Sequence, residues 1–174
     1  MNRQVVTFRV EEQLFGIDIL FVREIDRELE CTRVQLAAPY ILGLANLRGQ
    51  IVTVVDLARR LELTSAEIES ERHDIVLKTD AELSELRHRE NREDLRAWKD
   101  PIGLRVGELW DIVELAEQSV ERVPANLSEL RADFVSGVAM ISQGLVVLLD
   151  PVGLVGCDDP GGRALPGMRQ ARMS

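Results

Sequence analysis

The chain alternates between short β-branched runs and polar breaks, with few stretches long enough for a helix. Val5-Val6-Thr7-Phe8-Arg9-Val10 reads as a strand, and Glu11-Glu12-Gln13 interrupts it. Leu14 to Ile25 is strongly apolar and supports two readings, one long bent strand or a short amphipathic helix after a hairpin. Pro39 and Gly43 punctuate the next stretch and predict a short helical turn between them, while Arg48-Gly49 signals a tight turn. Gln50 to Leu57 is an almost continuous β-branched run, the pattern of a strand buried on both faces. Ala58 to Leu63 follows as a short helical tail, and residues 64–72 form a polar linker.

The pattern then restarts. His73 to Lys78 is a short strand like Val5 to Val10, and Ile102-Gly103-Leu104-Arg105-Val106 echoes Phe15-Gly16-Ile17-Asp18-Ile19. Leu109-Trp110-Asp111-Ile112 falls opposite Val22-Arg23-Glu24-Ile25, and Gly137 to Asp150 aligns without a gap to Gly43 to Asp56. Four ordered segments recurring in one order mark a duplication, with approximate units 5–63 and 73–155. Short strands with regular turn signals predict an all-β fold of two tandem small barrels linked by short helices. Lobes this small have limited cores, so an extensive apolar contact between them is expected.

Composition narrows the function classes. A net charge of −9 disfavours a general nucleic-acid binder, which needs a basic face. No apolar run reaches the ~18 residues needed to span a bilayer. The amino terminus lacks the apolar core of a signal peptide, so a soluble, unexported protein is expected. Cys31 and Cys157 read as free thiols in a reducing compartment. His73 and His88 lack ligand spacing with them, and no phosphate-binding glycine loop or nucleophile elbow is present. Neither a cofactor, a metal nor a catalytic role is expected. Asp56 and Asp150 occupy equivalent repeat positions, which favours a shared turn or cap over paired-carboxylate chemistry. Arg48 alone reads equally as a solvated turn residue or as a donor to a partner's carboxylates or helix-end carbonyls.

Residues 79–99 are highly charged, and Glu85 with Arg89, and Arg89 with Glu93, have the spacing to pair across one helical turn. A solvated helical excursion or loop is the expected form, with a partner helix presenting Leu95 and Trp98 as the sharper alternative. Residues 157–174 are rich in Gly and Pro and predict a disordered tail after a domain spanning 1–156.

Phe15 to Ile25, then Pro39 to Leu57 with Asn46-Leu47-Arg48-Gly49 before an apolar strand and Asp56-Leu57, resembles the CheW family, and the likeness runs from about Val5 to Val155. The resemblance implies two tandem SH3-like five-stranded β-barrels acting as a cytoplasmic, non-enzymatic adaptor at receptor arrays on the inner face of the membrane, without insertion into it. Its implied partners are a chemoreceptor's cytoplasmic signalling tip and the regulatory domain of the histidine kinase CheA. Carried over residue by residue, the receptor-facing candidates are Val22, Glu24, Arg48 and Ile112, with the receptor expected in a groove between lobes. The kinase contact falls to the first lobe without individual residues assigned. Two departures stand out: residues 79–99 replace a tight hairpin turn, and Gly107 sits where the family usually has aspartate. The insertion therefore also admits a module of a non-motility pathway (pilus, biofilm or development) whose partner choice it sets.

Overall fold

The computed structural model describes residues 2–63, 71–90, 98–123 and 132–156. β1 (Asn2–Val10) and β2 (Gln13–Asp18) form a hairpin, a 3-10 turn covers Ile19–Phe21, and β3 (Val22–Arg27) follows. The apolar run from Leu14 to Ile25 is therefore neither one bent strand nor a helix. Asp18 Oδ1 accepts the Leu20 N–H at 3.0 Å, and this local bond competes with the ladder and ends the strand. Between Pro39 and Gly43 a turn closed by Ile41 N to Ala38 O, at 2.9 Å, leads directly into β4 (Ile41–Leu47). β5 (Gln50–Asp56), α1 (Leu57–Arg60), β6 (His73–Leu77), α2 (Asp80–Glu90) and β7 (Ile102–Val106) come next. β8 (Leu109–Ala116), β9 (Val120–Glu121), β10 (Val135–Ile141), β11 (Gly144–Leu149) and α3 (Pro151–Gly156) complete the described chain.

The strands make two sheets, ordered β8-β1-β2-β11-β10-β9 and β3-β6-β7-β5-β4. Replacing each strand of the first repeat by its counterpart in the second converts one order into the other, with β9 as an added edge. The parallel pair recurs too, β2 with β11 and β7 with β5. Bulges fall at the same place, between Ile41 and Gly43 and between Val135 and Gly137. Each sheet thus takes its opening hairpin from one repeat and its remaining strands from the other. The repeats are units of sequence, and the sheets cut across them.

Asp56 and Asp150 carry the same duty in both halves. Asp56 N donates to Tyr40 O at 2.7 Å and Asp150 N to Phe134 O at 2.8 Å. Their carboxylates cap α1 and α3, accepting from Arg59 N at 3.1 Å and Val152 N at 3.0 Å. Such caps satisfy backbone donors that a helix start leaves open.

The main core lies between the sheets. Phe8, Phe15 and Ile17 of one share it with Ile75, Leu77 and Leu104 of the other and with Leu57 of α1, all fully buried. Smaller clusters back each sheet, around Val5 and Val146 and around Val52 and Val54. Arg60, 4% exposed, stacks its guanidinium 4.4 Å from the Tyr40 ring and 4.8 Å from the Phe134 ring. Its Nε donates to Leu154 O at 2.8 Å. Because Tyr40 and Phe134 are repeat counterparts, this one side chain clips the two halves together through cation–π contacts.

The charged insertion is not a free excursion. Leu83 is fully buried and Leu86 packs against the main core, while Asp80 N donates to Trp98 O at 2.8 Å. One wholly buried leucine commits the helix to the body of the protein even though most of its side chains are polar, a composition that conceals its docked face. Leu95, the partner position Glu93, the segment 64–70 of the linker and the tail 157–174 lie outside the described residues.

Candidate functional site

Arg48 sits at the tip of the β4–β5 hairpin with φ +52°, next to Gly49 at φ +83°. Two consecutive left-handed residues are what a two-residue hairpin loop requires. The Asn46 side chain accepts the Gly49 N–H at 2.8 Å and fixes the turn. The arginine side chain is therefore projected outward, 71% exposed, and its Nη1 donates to Glu24 Oε2 at 2.7 Å.

Glu24 lies on β3, where the register shifts between Val22 and Glu24. A bulge sets two consecutive residues against one on the neighbouring strand, and Arg23 and Glu24 both turn toward the β4–β5 hairpin. Arg23 Nη1 donates to Gln50 Oε1 at 2.8 Å and its Nη2 to Glu82 Oε2 at 2.6 Å. The result is a cleft of about 430 Å³ lined by Arg23, Glu24, Leu47, Arg48 and Gln50, with Thr79 and Glu82 closing its other side.

The charges are coupled. The Arg48 guanidinium holds the Glu24 carboxyl below the usual glutamate value, and a hydrogen bond with Asp26 acts in the same direction. That bond to Glu24, reinforced by burial, pushes Asp26 up. Glu24 Oε1 and Asp26 Oδ2 are buried and meet no donor among the described residues. Burial opposes ionisation of Glu82, but Arg23 and the two Thr79 donors outweigh it and hold that carboxyl down.

Of the residues singled out from sequence, Glu24 and Arg48 are in contact. Val22 is different: at 9% exposed it belongs to the main core, facing inward opposite Leu77. Its side chain supports β3 from beneath and offers no surface. Ile112, 52% exposed, stands on β8 at the edge of the other sheet. Trp98 is 4% exposed in the main core, so its ring is packing and not a face for a partner. Arg23, Gln50, Thr79 and Glu82 were not foreseen as site residues, because only the fold brings segments 23, 50 and 79–82 together.

A second cavity, about 630 Å³, lies under the loop after β3 and is lined in part by Cys31, Val34, Arg59 and Arg105. Burial pushes the Cys31 thiol up, away from the thiolate that metal binding or nucleophilic attack needs. Among the described residues no cluster of His, Cys, Asp and Glu could hold a metal ion, and no helix is long and apolar enough to cross a membrane.

Two strand-exchanged β sheets around one shared core, with an exposed, ion-paired arginine turn at the tip of a hairpin, define the class of fold and its candidate site. The chain belongs to the CheW-like domain family, which it matches over residues 4–157. It is 28% identical over 149 residues to the chemotaxis protein CheW of Rhizobium meliloti, covering 86% of this chain and 84% of that protein. It is 27% identical over 147 residues to the chemotaxis protein CheW of Treponema pallidum, covering 84% and 78%. Its fold is similar to that of the scaffolding protein TtCheW from Thermoanaerobacter tengcongensis, with a TM-score of 0.74 at 22% identity over 95% of this chain and 93% of that one.

Proposed function

We propose that this protein is a non-enzymatic adaptor that couples the cytoplasmic tip of a chemoreceptor to a CheA-type histidine kinase at the inner face of the membrane. The observation that carries this reading is the Arg48 turn: a guanidinium 71% exposed and held in place by Glu24 at 2.7 Å. Arg48 presents a fork of donors to solvent, suited to carboxylates or helix-end carbonyls on a receptor hairpin. Glu24 pre-orients that fork, which reduces the side-chain ordering cost on binding. Ile112 supplies an apolar contact on the other sheet. The kinase's regulatory domain is bound elsewhere on the module, so the adaptor works by setting the kinase's position relative to the receptor.

The test is direct binding of the purified protein to a receptor signalling-tip fragment and to a CheA regulatory domain. Both should bind at micromolar concentrations, and Arg48→Ala should weaken the receptor contact by about tenfold or more, as for a central interface arginine. If neither partner binds while the fold is intact, the coupling role is wrong.

A further inference from the structure

The insertion contributes to the Arg48 cleft. Glu82, on the first turns of α2, gathers three donors on one oxygen: Thr79 N at 2.7 Å, Thr79 Oγ1 at 3.0 Å and Arg23 Nη2 at 2.6 Å. Arg23 passes the connection on, its Nη1 meeting Gln50 Oε1 at 2.8 Å. Gln50 follows the Arg48-Gly49 turn directly and opposes Leu47 across the hairpin. The turn is thus held from two sides, by Glu24 through Arg48 and by Glu82 through Arg23 and Gln50. Leu83, fully buried, fastens this wall to the core, and Leu83 N donates to Thr79 O at 3.0 Å.

We propose that the insertion is a specificity wall of the partner cleft, with Glu82 as a positioning residue that sets the β4–β5 turn through Arg23 and Gln50. The proposal rests on the reading of Arg48 as the receptor-facing residue and extends it to the opposite side of the cleft. Charge complementarity defines the occupant. Arg48 calls for a carboxylate, whereas Glu24 and Glu82, the latter with 38% of its side chain exposed, are each ion-paired with an arginine of the cleft, so the lining carries balanced charge. The fitting partner is a helical receptor segment that offers one carboxylate beside a hydrogen-bond donor. A segment with two adjacent carboxylates is disfavoured, because Arg23, the lining cation nearest the second one, is already held by Glu82.

The experiment titrates one receptor signalling-tip fragment onto the protein and its Arg48→Ala, Glu82→Ala, Arg23→Ala and Arg23→Ala/Glu82→Ala variants, with melting temperatures measured in parallel. Glu82→Ala and Arg23→Ala should each weaken binding by about fivefold, and the double variant should be no worse than either single one. Glu82→Gln, which keeps an acceptor for Thr79 and Arg23, should recover most of the affinity and serves if Glu82→Ala does not fold. A second fragment carrying an extra carboxylate beside the first should bind Glu82→Gln better than the unaltered protein. If Arg48→Ala weakens binding while the Glu82 and Arg23 variants bind like the unaltered protein, the proposal fails and the adaptor reading survives. Full additivity in the double variant also overturns it. If Arg48→Ala has no effect, the reading beneath it fails first.

Discussion

Asp74 and Arg105, register partners across β6 and β7, are joined by two hydrogen bonds, Nε to Oδ1 at 3.1 Å and Nη2 to Oδ2 at 2.9 Å. The same two side chains hold Leu29 from both ends: Asp74 Oδ2 accepts its N–H at 2.6 Å and Arg105 Nη2 donates to its carbonyl at 2.7 Å. Asp74 is fully buried, and these bonds satisfy both of its carboxylate oxygens. Asp74→Ala should cost about 3–5 kcal/mol, the usual penalty for stranding one member of a buried pair. Denaturant unfolding measures it, and hydrogen exchange at Leu29 should rise in the same variant.

Glu24 has a folded pKa below its unfolded one. Its contribution to stability is therefore full above the unfolded value and lost as pH falls through the lowered folded value. Arg48→Ala should move the Glu24 titration up, toward the ordinary glutamate value, with only a small change in melting temperature because the Arg48 side of the pair is solvent-exposed. Asp26, raised by Glu24, should move down in Glu24→Gln. Carboxyl chemical shifts followed against pH check both directions.

Gly43 and Gly49 separate two costs. At Gly43, φ +153°, a Cβ would lie 2.2 Å from Thr32 O, whereas at Gly49, φ +83°, it would meet nothing within 4 Å. Gly49→Ala should cost about 1 kcal/mol of backbone strain. Gly43→Ala should cost more than that, because the Thr32–Leu44 bridge, at 2.8 and 2.9 Å, must also give way. Urea midpoints compared between the two variants test the ordering.

Leu83 and Trp98 decide whether the insertion is integral. Leu83→Ala should destabilise by about 2–5 kcal/mol, as for a buried leucine elsewhere, whereas a free excursion would lose nothing. In a Trp110→Phe background, Trp98 emission should be blue-shifted in the protein alone and change little when a receptor fragment is added.

Much of the architecture was legible in the chain. The repeated segments announced a duplication, and the equivalence of Asp56 and Asp150 announced a shared turn or cap, because a turn imposes its chemistry within a few residues. The Arg48-Gly49 turn was readable for the same reason, and its lack of a counterpart (Ser142 stands there) marked Arg48 for attention. Val22 and Trp98 show where pattern reading stops. Their types suit either surface or core, and only packing against Leu77 and the other residues of the main core decides.

The sequence by itself determined most of the strands, the Arg48-Gly49 turn and the internal repeat, all properties of neighbours along the chain. Only the tertiary structure decided that the opening hairpin of each repeat joins the other repeat's sheet, that Arg60 clips the halves, and that one buried leucine brings Glu82 to Arg23. Those outcomes depend on contacts between segments tens of residues apart. What selects them is the burial of apolar surface from both repeats in one shared core, a gain that no local window of sequence contains.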